Sequence, residues 1–124
     1  MTRRHTRQRA AIRRAFEAQG RPLSAPEVLE LARPEVPGIG AATVYRAIHS
    51  LLDEGFLAPV VLPGQPPRYE LAGMAHHHHF HCTACGRVFD LAGCLSGLQA
   101  LVPHGFRVSA HDIILSGHCP DCSA

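Results

Sequence analysis

Two Cys-x-x-Cys pairs, Cys82 with Cys85 and Cys119 with Cys122, constrain this chain more than any other feature of its sequence. Each pair sets two thiols on one tight turn, and two such turns supply the four sulfur ligands of a closed tetrahedral zinc site. One pair alone would equally suit redox chemistry. Two, the first followed by Gly86 and the second containing Pro120, point to structural zinc, a metal that serves folding rather than catalysis. The 124 residues suffice for one domain or two very small ones. A domain of ~50–70 residues buries only a modest core, so a metal staple or a partner subunit is expected. The fifth cysteine, Cys94, falls outside any pairing scheme. No apolar run approaches the ~20 residues of a membrane span, and the arginine-rich N-terminus lacks the apolar stretch of a signal peptide. The expectation is a cytoplasmic protein with reduced cysteines and no membrane partner.

The run His76, His77, His78, His79 leads directly into the first cysteine pair. Four consecutive histidines resemble a purification tag, but tags sit at chain ends and this run is internal. If the segment is extended, His76 and His78 face one way and His77 and His79 the other, so one strand can serve two metal sites. The plainer alternative is a solvated polar strand. From His76 onward the chain holds all five cysteines and eight of the ten histidines. "HHHFHC", "RVFDLA" and "FRVSAHDIILSGHC" read as three strands, with a short helix from about Cys94 to Val102 between the second and third.

Upstream, the pattern is helical. Thr6 is a candidate cap for a helix ending at Gly20, with Ala10, Ala11, Ile12, Ala15 and Phe16 as its apolar face. Ser24 and Glu27 have the spacing of a capping box and Pro26 suits a first turn, so a second helix starts there with Val28, Leu29 and Leu31 inward. "RPEVPGIG" is a turn by composition. "AATVYRAIHSLLDEG" buries Val44, Ile48, Leu51 and Leu52 on one stripe, which leaves Thr43, Tyr45, Arg46, His49 and Ser50 largely off it. Two short strands around Pro63, Gly64 and Gln65 complete a hairpin. Helix, helix, turn, helix, hairpin is the order of a winged helix-turn-helix. The predicted fold class is α+β: a winged helix over residues 1–73 and a small α/β unit with structural zinc over residues 74–124.

The net charge of +2 hides an asymmetry. Residues 1–46 carry nine arginines against four glutamates, whereas residues 47–124 carry three arginines against six acids. A basic front half suggests an anionic partner, most often nucleic acid; a merely solvated arginine surface is the alternative. On the helix over residues 42–54, Tyr45 suits a thymine methyl and Arg46 a phosphate or guanine edge, with Thr43 beside them. Arg7 and Arg9 suit sequence-independent phosphate contacts. Packing within the hairpin is the structural alternative for Tyr45.

"TRQR" at 6–9, "SAPEV" at 24–28, "ATVYRAIHSLLDEGF" at 42–56, "RYE" at 68–70, "HHHHFHCTACG" at 76–86 and "GHCPDC" at 117–122 together resemble the ferric uptake regulator (Fur) family of metal-responsive repressors. The resemblance spans essentially the whole chain and implies a homodimer that binds palindromic operator DNA when its regulatory metal is present. It places that metal between Glu70, His77, His79 and Asp90. It places a further site on His76, His78, His111 and the position of Cys94, where the family pattern has a carboxylate. Cys94 then either makes this a better zinc site or is a small buried apolar residue at a lost one.

Relatives that sense iron, manganese or peroxide are similar to one another in a histidine ligand two places before the Ser of the second helix. Here that position is Pro22, which has no ligand atom. Four nitrogen and oxygen ligands suit tetrahedral zinc, whereas Fe(II) and Mn(II) more often take further donors. Zinc is the expected regulatory metal, with iron or manganese the alternatives and water, His5 or His49 the candidate fifth ligands. A zinc hydrolase would lack an evident general base and leave the basic helices unexplained, and a zinc storage or chaperone protein would leave the helix-turn-helix unexplained. The expectation is therefore a regulator with no enzymatic activity and no small-molecule substrate.

Overall fold

The computed structural model describes residues 3–123, which divide into two compact units between Gly73 and Met74. The first unit is built from α1 (Arg3–Gln19), α2 (Ala25–Ala32), α3 (Ala41–Asp53) and a hairpin of β1 (Leu57–Val60) and β2 (Arg68–Leu71). α1 begins at Arg3, so Thr6 lies inside the helix rather than capping it: arginine and histidine are tolerable helix formers, and no breaker stands between Arg3 and Thr6. α2 has the full capping box. The Ser24 hydroxyl accepts from the Glu27 N–H, and the Glu27 carboxylate accepts from the Ser24 N–H.

Ile12 and Phe16 of α1, Val28 of α2, and Val44, Ile48 and Leu51 of α3 are fully or almost fully buried and form the core with Leu23, Leu57 and Tyr69. Each such side chain contributes about 1.5–3 kcal/mol of burial. Leu31, expected inward, is 36% exposed. Over only eight residues the inward stripe passes from Val28 to Ala32, one turn on, and Leu31 falls on the flank. Leu23 adds a pairing that spacing alone does not suggest. Its N–H donates to the Tyr69 carbonyl at 2.8 Å and its carbonyl accepts from Tyr69 at 2.9 Å, which ties the α1–α2 connection to β2.

In the second unit β3 (His77–Cys82) is the central strand, antiparallel to β4 (Val88–Ala92) and parallel to β5 (Ile114–Gly117). Two expectations need correction. The helix over 94–102 is only a 3₁₀ turn at Leu98–Leu101, because Gly93 and Gly97 adopt φ of +89° and +81° and interrupt any α-helix across them. The long third strand pairs only over Ile114–Gly117. Ahead of it the Gln99 side chain takes the bonds a strand neighbour would make, donating to the Phe106 carbonyl at 2.6 Å and accepting from the Val108 N–H at 2.9 Å. The buried apolar side chains here are Val88 and the cysteines Cys82 and Cys119, whereas Leu95, Leu101, Phe106, Val108 and Leu115 are exposed. No helix among the described residues is long and apolar enough to cross a membrane.

Candidate metal centres and nucleic-acid face

The turn after β3 and the turn after β5 bring the sulfurs of Cys82, Cys85, Cys119 and Cys122 within 4.8 Å of one another. Cys85 Sγ lies 3.8 Å from Cys119 Sγ, far beyond a disulfide bond. It matches the ~3.8 Å edge of a tetrahedron with Zn–S of ~2.3 Å. The backbone N–H groups of Cys119 and Cys85 both point at Cys82 Sγ, each at 3.4 Å. These bonds pull the Cys82 thiol down to about 5. Cys122 is pushed up to about 12, chiefly by its contact with Cys119 and by burial. Four thiolates this close need a cation to neutralise them, and the donor set fits zinc.

A side chain with no sequence signature completes the surroundings. Arg87 donates from Nε to Cys85 Sγ at 3.2 Å, and its Nη2 reaches Cys119 Sγ at 3.7 Å and Asp121 at 3.0 Å. Its guanidinium holds Cys85 below the usual thiol range, together with the Arg87 backbone N–H, which is the larger cause. Only the fold brings residue 87 against residues 119 and 121, so spacing could not have identified it.

Strand alternation divides the histidine run. His79 lies opposite Asp90 in the β3–β4 register. Asp90 Oδ1 is 3.3 Å from Nε2 of His79 and 3.3 Å from Nε2 of His77. These spacings equal the ~3.3 Å ligand–ligand edge of a tetrahedral zinc with bonds of ~2.0–2.1 Å. His77 Nδ1 donates to the Ala75 carbonyl at 2.8 Å, which fixes the tautomer and leaves the Nε2 lone pair for a metal. Glu70 belongs to the first unit, on β2 opposite Ala58. Pro22 is fully buried in the first unit, and its ring offers no ligand atom.

On the other side of β3, His76, His78, Cys94 and His111 also bring their ligand atoms within 4.8 Å of one another. Cys94 is exposed rather than a buried apolar residue, with Sγ 3.1 Å from His78 Nε2 and 2.9 Å from His111 Nε2. Burial lowers the pKa of His78, as do His76 and His111 beside it.

In the first unit Tyr45 is 47% exposed on α3, and Arg46, also exposed, donates to Thr43 Oγ1 at 3.3 Å. Tyr45 is therefore not packed away in the hairpin. Arg7 donates to the Glu35 carbonyl at 3.1 Å. Arg9 is more deeply engaged, donating to Ser50 Oγ at 2.7 Å and pairing with Glu54, so it also braces α1 against α3. Between these helices His5, Gln8, Arg9, Thr43, Arg46 and Ser50 line a cavity of about 150 Å³.

The family model described as the ferric uptake regulator family matches residues 1–116. The chain is 30% identical over 123 residues to ferric uptake regulation protein 2 of Mycolicibacterium fortuitum, across 95% of this chain and 84% of that protein. Among solved structures it is similar to a zinc-bound manganese uptake regulator, with TM-score 0.77 and 27% identity over 96% of this chain and 89% of the other. It is also similar to FurB of M. tuberculosis, a zinc uptake regulator, with TM-score 0.53 and 31% identity over 96% and 95% of the two chains.

Proposed function

This chain belongs to the ferric uptake regulator family of metal-responsive transcriptional regulators, and from that premise we propose that it is a zinc-dependent repressor. It acts as a homodimer on a palindromic operator in double-stranded DNA. The observation that carries this reading is the cluster of His77, His79 and Asp90, with one carboxylate oxygen equidistant from two imidazole nitrogens and His77 fixed in a ligating tautomer. Glu70 is the further ligand, supported by the "RYE" stretch around it. When bound, the metal supplies the positive charge that lets these groups share one centre. Its ligands come from both the winged helix and the second domain, so occupancy biases the domain arrangement toward the one that fits two successive major grooves.

Zinc is favoured over iron or manganese because Pro22 contributes nothing where those sensors carry a fifth ligand. The relatives themselves carry names for iron, manganese and zinc, so kinship alone does not choose. Structural zinc on Cys82, Cys85, Cys119 and Cys122 holds the second domain. The exposed Leu95, Leu101, Phe106, Val108 and Leu115 support a partner subunit covering that apolar surface. Tyr45, Arg46 and Thr43 read bases or adjoining phosphates, and Arg7 and Arg9 contact the backbone.

The test is a mobility shift on palindromic DNA with and without metal, for wild type and for His79→Ala and Asp90→Asn. Metal-dependent retardation lost in both variants supports the repressor. Metal binding with no DNA affinity under any condition supports a storage or chaperone protein instead.

A further inference from the structure

Among the described residues, Arg87 is the cation that reaches both cysteine turns. It follows Gly86, whose φ of +80° carries the chain out of the first turn toward β4. From there Nε donates to Cys85 Sγ at 3.2 Å, while Nη2 reaches Cys119 Sγ at 3.7 Å and Asp121 Oδ2 at 3.0 Å. Asp121 lies inside the second cysteine pair, so one guanidinium touches residues of both turns. An ion pair with a carboxylate that is 74% exposed adds little stability. Its effect is directional: it holds the planar fork over the sulfurs.

N–H donors are shared unequally among the four sulfurs. Cys82 Sγ takes two, from the backbones of Cys85 and Cys119. Cys85 Sγ takes the Arg87 Nε–H, and Cys119 Sγ has Arg87 Nη2 beside it. Among the described residues no N–H is directed at Cys122 Sγ, whose neighbours are the other three sulfurs. Exposure follows a different order. Cys85 is exposed and Cys122 half-buried, whereas Cys82 and Cys119 are buried. Access alone would favour reaction at Cys85; the donor pattern favours Cys122.

A hydrogen bond to a thiolate engages the electron pair that an electrophile must attack, and a guanidinium does so with a full positive charge. We infer that Arg87 is a positioning residue that withholds the exposed Cys85 from electrophiles, so that Cys122 is the member of the four-cysteine site modified first. The inference rests on the assignment of structural zinc to these cysteines and is independent of the regulatory metal and of DNA. The reactant class is a small uncharged electrophile. With an alkyl halide, the Cys122 sulfur forms the new S–C bond, the carbon–halogen bond breaks, and halide leaves with its electron pair. No proton moves, because a zinc-ligating sulfur is already a thiolate. The product is a neutral thioether and a poorer zinc ligand, so a change at this one residue loosens the staple of the second unit.

The test uses the full-length protein, treated with chelator until one tightly held zinc per chain remains, and limiting iodoacetamide, which carries no charge for Arg87 to steer. Peptide mapping by mass spectrometry reads the order in which the four cysteines are labelled, with Cys94 counted apart, and a chromogenic chelator reads zinc release. In wild type Cys122 should be labelled before Cys85, and zinc release should keep pace with the label at Cys122. In Arg87→Gln the order should reverse, with labelling of Cys85 faster by about 10–100-fold, the range for loss of a residue that orients a ligand. Arg87→Lys, which keeps the charge without the fork, should be labelled at Cys85 more slowly than Arg87→Gln. Cys85 labelled first in wild type, or an unchanged order in a zinc-retaining Arg87→Gln, would overturn the inference. So would equal acceleration at all four sulfurs, which is what a mere structural brace predicts. If Arg87→Gln holds no zinc, the wild-type order decides alone. A wild-type chain that keeps no zinc refutes the four-cysteine assignment itself, and this inference with it.

Discussion

Replacing Cys119 by serine should unfold the second unit while sparing the first. Among the described residues from 74 onward the buried apolar side chains are Val88 and the cysteines Cys82 and Cys119. One buried valine contributes about 2 kcal/mol, too little to hold a folded unit by itself. Structural zinc supplies on the order of 10–16 kcal/mol at neutral pH, several times that contribution. Three thiolates and a serine oxygen forfeit most of that. Hydrogen exchange reads the outcome directly. In Cys119→Ser the amides of β3, β4 and β5, and that of Thr83, which donates to the Gly117 carbonyl at 2.8 Å, should exchange at nearly unprotected rates. The Leu23–Tyr69 bridge and the helices packed on Phe16 and Ile48 should stay protected, because their core is complete without the metal. A variant short of one zinc whose second-unit strands remain protected would show that the metal is dispensable and the reasoning wrong.

Three further outcomes are expected. Tyr45→Ala should weaken operator binding while leaving non-specific DNA binding nearly intact; Arg7→Ala should weaken all sequences alike and reduce the salt slope by about one. Ser24→Ala removes the acceptor for the Glu27 N–H and should lower the stability of the first unit by about 1 kcal/mol in denaturant titration, with no change in zinc content. The N–H groups of Cys119 and Cys85 hold the Cys82 thiol down, to about 5. A thiol lowered by folding contributes stability that is complete above its unfolded value, about 8.5, and is lost as pH falls through the folded one. Protons also compete with zinc for these thiolates, so zinc retained after dialysis should fall with pH at values below about 5; full zinc content down to pH ~2 would contradict this.

What the sequence made legible rests on local spacing. The capping box of Ser24 and Glu27, the stripe of Val44, Ile48 and Leu51, and the alternation of His77 and His79 against His76 and His78 follow from helix and strand periods alone. Patterns failed where a contact distant in sequence decides. Leu23 joins the hairpin through residue 69, and Gln99 occupies the backbone of Phe106 and Val108, so the long third strand never pairs over its first half. The short helix failed on glycine conformation at Gly93 and Gly97. Arg87 at the thiolates and the Ile113 N–H on the His78 ring depend on partners 32 to 35 residues away, and no residue type announces them.

The most direct measurement is operator affinity as a function of buffered free metal, with the four-cysteine zinc in place throughout. Binding free energies of about 10–16 kcal/mol correspond to dissociation constants from tens of nanomolar down to picomolar. Zn(II) should activate DNA binding in that range, and Fe(II) and Mn(II) should fail to do so at micromolar free concentrations. Activation by Fe(II) or Mn(II) alone, with zinc confined to Cys82, Cys85, Cys119 and Cys122, would contradict the assignment of a zinc-dependent repressor.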